Sequence, residues 1–91
     1  MPRITVKLYP PLRETAGAGE MPAHGETAGE ALRLLGERLG PAFIEALYED
    51  GKPKRYFTFV LNDKILDPGG LEGELVHEKD VLHVYPPIAG G

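Results

Sequence analysis

The 91-residue chain contains no cysteine and no serine. Without cysteine there can be no disulfide, thiolate metal site, iron–sulfur cluster or cysteine nucleophile. Without serine a serine triad is impossible. No stretch approaches the ~18 consecutive apolar residues of a membrane span. Met1-Pro2-Arg3 leads straight into a strand pattern with no apolar leader. The expectation is a cytoplasmic protein with no membrane partner. Basic residues are also in deficit, ten Lys and Arg against fourteen Asp and Glu, for a net charge of −4. That balance argues against a nucleic-acid surface and suits a partner with a basic face.

Other chemistry is thin. His24, His77 and His83 lack metal-ligand spacing, so no metal site is expected. Glu49-Asp50 reads as a solvated turn rather than a catalytic carboxylate pair. Asp67-Pro68-Gly69-Gly70 lacks the Gly-Lys-Ser/Thr of a phosphate loop and reads as a turn. A chain of this length buries only about 60–65% of its unfolded surface, enough for one core and no deep internal active site. Nothing in it reads as a self-sufficient enzyme.

The pattern of elements starts with Ile4, Val6 and Leu8, which alternate with Thr5, Lys7 and Tyr9 as a half-buried strand. Pro10-Pro11 ends it, and Leu12-Arg13-Glu14 before Gly17-Ala18-Gly19 reads as a turn or short loop. Glu20 to His24 is a faint second strand that Pro22 would confine to an edge. Thr27-Ala28-Gly29-Glu30 predicts a capping box, with the Thr27 hydroxyl on the Glu30 amide and the Glu30 carboxylate reaching back to the Thr27 amide. Ala28, Ala31, Leu32, Leu35 and Leu39 share one helical face. Gly36 inside that helix costs ~1 kcal/mol against alanine; it is either tolerated or allows close packing on the sheet. Gly40 stops the helix, and Pro41 opens a short second one that would bury Phe43, Ile44 and Leu47. Glu49 to Arg55 reads as a solvated loop. Tyr56 to Leu61 is a third strand, Lys64-Ile65-Leu66 a short return, and Leu71, Leu75 and Val76 tuck under the core. Glu78-Lys79-Asp80 turns into the last strand, Val81 to Tyr85.

The first and last strands carry the richest alternation. One main helix is covered most simply by a mixed sheet with those two strands central and parallel. The fold class is therefore α+β, a β-grasp sheet packed on one main helix, over residues 1–85. Leu82 and Val84 would point inward, leaving Val81, His83 and Tyr85 outward. Tyr56, Thr58 and Val60 would share that side with Tyr9. This outward face is the candidate partner-binding patch.

Residues 86–91, Pro86-Pro87-Ile88-Ala89-Gly90-Gly91, form an extended tail. Prolines fix φ and cannot continue a ladder, so Pro86 and Pro87 set its direction and reach. Ile88, Ala89, Gly90 and Gly91 taper toward a width that only a backbone needs. A Gly-Gly end alone is weak evidence, since average glycine content produces one in about two hundred chains. Joined by a rigid Pro-Pro spacer to a core strand, it is much less a matter of chance.

This tail, preceded by Asp80-Val81-Leu82-His83-Val84, resembles the C-terminal signature of the MoaD/ThiS family of ubiquitin-like sulfur carriers, and is nearest its MoaD branch, the small subunits of molybdopterin synthase. The resemblance implies the β-grasp fold. It also implies that the Gly91 carboxylate is the reacting group, adenylated and then thiocarboxylated. Gly90, Ala89, Ile88, Pro87 and Pro86 would give it access to a partner's active site. No cofactor would be bound, and ATP would be used in trans. The implied partners are an adenylating enzyme of the MoeB/ThiF type, a sulfurtransferase and a large MoaE-like synthase subunit, with the sulfur destined for molybdopterin. Delivery to thiamine or tRNA thiolation, conjugation of Gly91 to lysines, and a pure docking module are the alternatives. The chain departs from the family at one turn. Where the family usually has Asp-Gly-Asp before the last strand, this chain has Glu78-Lys79-Asp80, and the missing glycine is expected to alter that turn.

Overall fold

A computed structural model describes residues 1–87. Strand β1 (Arg3–Leu8) is followed by a one-turn helix α1 (Leu12–Ala16) and strand β2 (Glu20–His24). Helices α2 (Ala28–Leu39) and α3 (Pro41–Leu47) come next. Then come β3 (Tyr48–Glu49), β4 (Lys52–Pro53), β5 (Thr58–Leu61), β6 (Lys64–Leu66), a 3-10 turn (Pro68–Gly73) and β7 (Val81–Tyr85).

Five strands form one mixed sheet in the order β2-β1-β7-β5-β6, so β7 is central. β1 and β7 are parallel and adjacent, with Val6 opposite Leu82 and Leu8 opposite Val84. The other pairs are antiparallel. This is the β-grasp arrangement expected from the strand pattern. Pro22 lies in β2, at an edge, where its missing N–H faces no neighbour.

One face of the sheet carries the core. Ile4, Val6, Leu8, Phe59, Leu61, Leu82 and Val84 meet Ala28, Ala31, Leu32 and Leu35 of α2 and Phe43 and Leu47 of α3. Among the described residues no polar or charged side chain is buried. The core is therefore held by apolar area and packing rather than by a buried polar network.

Several local expectations are corrected. Leu12 to Ala16 is a helix rather than a loop: Leu12 is fully buried, and Gly17, at φ +82°, closes the turn with its N–H on the Arg13 carbonyl. At the start of α2 the Thr27 hydroxyl accepts the Glu30 amide at 3.0 Å, as expected. The Glu30 carboxylate, however, accepts from Glu26, one residue earlier than expected, at 2.7 Å. Gly36 makes room for α3 rather than for the sheet, since a Cβ there would stand 3.1 Å from Ile44 Cγ1. Ile44 itself is exposed, because Phe43 and Leu47, one turn apart, take the buried side of a seven-residue helix. Residues 48–53 form a two-strand hairpin rather than an open loop. Asp50 and Gly51 both have positive φ, 54° and 78°, the two-residue turn that Asp-Gly favours. β5 begins at Thr58, two residues later than expected. Leu75 is 64% exposed while Val76 is buried. Leu75 bridges Thr27 in extended backbone, and extended neighbours alternate in direction.

The turn before β7 survives without glycine. Lys79 takes the left-handed conformation, φ 73°, and its N–H donates to the Arg3 carbonyl at 2.9 Å. Asp80 accepts from the His77 amide at 2.8 Å and from Asn62 Nδ2 at 3.1 Å. Asn62 Oδ1 in turn accepts the Val81 amide at 2.9 Å. This network fixes where the last strand begins.

Candidate functional site

Because side chains alternate along a strand, β7 has two faces. Leu82 and Val84 are fully buried, Val81 and His83 are half-buried, and Tyr85 is exposed. Neighbouring strands continue the outward face. Lys7 stands opposite His83, His83 opposite Val60, and Val60 opposite Ile65. One residue pair further along, Tyr85 stands opposite Thr58. The structure thus puts Val81, His83, Tyr85, Thr58 and Val60 on one face.

Tyr9 joins them from the end of β1. Its ring stacks on Tyr85 with centroids 4.6 Å apart and planes 16° from parallel. His83 stacks on Tyr85 at 5.4 Å and 5°, and lies 6.3 Å from Tyr9, so the three rings form one cluster. Tyr9 Oη lies 3.1 Å from His83 Nδ1. Burial, then Tyr85 and Glu20, raises the Tyr9 phenol above its ordinary value. Burial, then the Lys7 charge, lowers the His83 imidazole below its ordinary value. At neutral pH the phenol is therefore protonated and the imidazole neutral, so Tyr9 donates and Nδ1 accepts. Stacked flat rings with a wet rim present rigid area that costs little conformational entropy to bury against a partner.

Tyr56 stands apart from this cluster. Its ring meets Phe57 at 5.0 Å, with the Lys54 ammonium 5.9 Å from its centroid, in the turn before β5. Ile65, 74% exposed, belongs to the face and was missed. Its signal was available: Leu66 had to point inward opposite Phe59, which turns its strand neighbour outward.

β7 ends at Tyr85. Pro86 is half-buried and Pro87 exposed, so the chain leaves the domain from the central strand beside the stacked rings. Ile88, Ala89, Gly90 and Gly91, the expected reactive tail, lie outside the described residues. Among the described residues no cluster of His, Cys, Asp or Glu could hold a metal. No helix there is long and apolar enough to cross a membrane.

The sequence profile of the ThiS family matches residues 6–91, through the terminal Gly-Gly. The chain belongs to the ThiS family. ThiS-family proteins are small carriers rather than catalysts. Among solved structures, small archaeal modifier protein 1 of Methanosarcina acetivorans is similar at 29% identity and TM-score 0.83, over 100% of this chain and 98% of that one. A chain of the BexX/CysO complex of Amycolatopsis orientalis is 29% identical with TM-score 0.81, over 97% of this chain and 99% of that one. A chain of the complex of subunits 1 and 2 of the molybdopterin-converting factor of Helicobacter pylori is 19% identical with TM-score 0.62, over 98% and 99%, and shares the fold. A comparison with curated protein sequences found no match.

Proposed function

We propose that the protein is a sulfur carrier whose Gly91 carboxylate is activated and thiolated by partner enzymes. The observation that carries this reading is the family match running to residue 91, across a tail that leaves the central strand. The absence of cysteine supports it, since no side chain can hold a persulfide and only the terminal carboxylate remains. A terminal carboxylate, pKa ~3.5, is ionised at neutral pH and attacks the α-phosphate of ATP. Pyrophosphate leaves and an acyl-adenylate forms. Hydrosulfide, or a persulfide followed by reduction, then displaces AMP and leaves a thiocarboxylate. The domain binds no cofactor for this; ATP sits in an adenylating enzyme of the MoeB/ThiF type, with a sulfurtransferase as donor.

The outward face of the sheet docks those partners, with Tyr85, His83, Val81, Val60 and Ile65 at its centre and the tail passing into the partner's active site. Pro86 and Pro87 set the reach, and Ile88, Ala89 and Gly90 fill the narrowing channel. For the destination of the sulfur we favour molybdopterin, with the chain as small subunit beside a large MoaE-like subunit, because the Pro-Pro spacer resembles that branch. A second reading has its own support. The archaeal modifier and the BexX/CysO chain are both 29% identical, against 19% for the converting-factor chain. Delivery to another sulfur pathway, or conjugation of Gly91 to lysines, fits those relatives.

Incubation with a cognate adenylating enzyme, ATP and hydrosulfide should exchange one oxygen for sulfur at the terminal residue, read by intact-mass analysis. Removing Gly91, or adding one residue after it, should abolish the product, because ~1 Å of misplacement already costs about a hundredfold in rate. Equal thiolation of the extended chain would overturn the carrier reading. Transfer from the thiolated protein to a large synthase subunit, compared with linkage to lysines in lysate, separates the destinations.

A further inference from the structure

A cleft on the helix side of the molecule takes no part in the chemistry above. It is walled by α2, the β3–β4 hairpin and the 3-10 turn, and has a volume of about 360 Å³. Its size lies within the range of small-molecule sites. The cleft exists because the 3-10 turn lies directly on the first turn of α2. Gly29 permits this: a Cβ there would come within 2.9 Å of the Glu72 backbone.

Tyr48, Pro53 and Leu71 supply apolar lining, while Arg33, Lys52 and Arg55 bring three cations against the single carboxylate of Glu72. That carboxylate is already engaged. Arg33 holds it in a forked pair, Nε to Oε2 at 3.0 Å and Nη2 to Oε1 at 3.3 Å. Lys52 and Arg55 make no ion pair with a carboxylate among the described residues. The hairpin and the segment that follows it thus place two cations, unpaired among the described residues, beside an apolar wall, on a chain whose net charge is −4. Burial first, with Glu72 adding and Arg33 opposing, pushes the Tyr48 phenol up to about 12, so its hydroxyl remains a donor at neutral pH.

We propose that this cleft binds a small organic phosphate, its phosphate between Lys52 and Arg55 and its apolar body against Tyr48, Pro53 and Leu71. Phosphate matches the two free cations through charge-assisted hydrogen bonds, Arg offering a planar fork and Lys a point charge. A flat heterocycle matches the tyrosine and proline surfaces. The site binds its ligand without acting on it. It shares no residue with the outward sheet face or the tail, so it stands or falls separately from the carrier reading.

The test is a titration of the full-length, isotope-labelled protein followed through its backbone amide resonances. Three probes separate the parts: AMP has phosphate and body, inorganic phosphate has only the first, and adenosine only the second. AMP should give saturable shifts at Tyr48, Lys52, Arg55 and Leu71, with phosphate and adenosine each binding more weakly. Lys52→Ala combined with Arg55→Ala should weaken AMP by at least about tenfold, as expected for losing charged hydrogen bonds. Both residues are solvent-facing, and the variant's unchanged amide spectrum elsewhere verifies its fold. The proposal fails if AMP gives no saturable shift at these amides, if adenosine binds as tightly as AMP, or if the double variant binds AMP unchanged. Shifts confined to the β7 face would equally overturn it.

Discussion

The two faces of β7 carry neighbouring residues with opposite constraints. Leu82 and Val84 are fully buried between β1 and β5 and beneath α2. Val81, His83 and Tyr85, interleaved with them, face away from every helix. Inside, volume decides: a lost methylene leaves a cavity that neighbours cannot fill. Outside, the arrangement of rings decides, because Tyr9, His83 and Tyr85 hold one another flat. One five-residue strand therefore anchors the fold with one face and presents exposed rings with the other, and the chain leaves it through Pro86 and Pro87. Stability and recognition should be separable along it by single substitutions.

Leu82→Ala should have the largest effect, about 2–5 kcal/mol of lost stability in urea unfolding. That is a large share of the ~5–15 kcal/mol that holds a domain folded. Its tail should still be thiolated at low temperature, where the remaining folded fraction is high. Asp80→Asn comes next, at about 1–2 kcal/mol, because an amide cannot accept from both the His77 amide and Asn62. Burial opposes ionisation of Asp80, but the Asn62 hydrogen bond, the His77 amide and the His77 ring together hold its carboxyl below the ordinary value. A depressed carboxyl contributes stability above its unfolded value, near ~3.9, and that contribution is lost as pH falls through the folded value. Urea midpoints measured from pH 6 down to acid should therefore fall further below pH ~4 in the native protein than in Asp80→Asn.

Tyr85→Asp sharpens the contrast from the other side. Losing its stacks on Tyr9 and His83, each worth about 0.5–1.5 kcal/mol, should still leave a folded domain. Binding to the adenylating enzyme, read by calorimetry, should nevertheless fall sharply, since a charge replaces a ring at the exit of the tail. Unchanged affinity in the folded variant would make the outward face ordinary surface. Global unfolding by Tyr85→Asp would erase the distinction between the two faces.

Alternation made most of this legible beforehand. The parallel pairing of first and last strands, the inward Leu82 and Val84, and the Thr27 cap all follow from period and residue type. What was illegible falls into two kinds. The β3–β4 hairpin has two residues per strand, too few for alternation to register, and only Asp50-Gly51 signals it. Ile44 and Leu75 are apolar residues whose exposure depends on which neighbour wins the core, Phe43 in one case and Val76 in the other. The helix-side cleft was invisible for a third reason. Arg33, Lys52, Arg55 and Glu72 are scattered over forty positions, and only the folded chain gathers them.

The smallest effect concerns the turn that feeds β7. Lys79 sits at φ 73°, where an L-residue pays roughly 1–2 kcal/mol from crowding between its Cβ and the next carbonyl. Lys79→Gly removes that cost. Its N–H still donates to the Arg3 carbonyl, because the bond is made by backbone. Against the gain stands the extra freedom of glycine in the unfolded chain, worth about 0.4–1 kcal/mol. The difference should be a stabilisation of about 0.5 kcal/mol, visible as a higher urea midpoint at unchanged slope. Lys79→Val should move the other way, since a β-branched residue tolerates positive φ least. The two substitutions together decide whether the left-handed residue is a strained substitute for glycine. If Lys79→Gly destabilised and Lys79→Val did not, the entry to β7 would be set by the side chain of Lys79 rather than by its backbone.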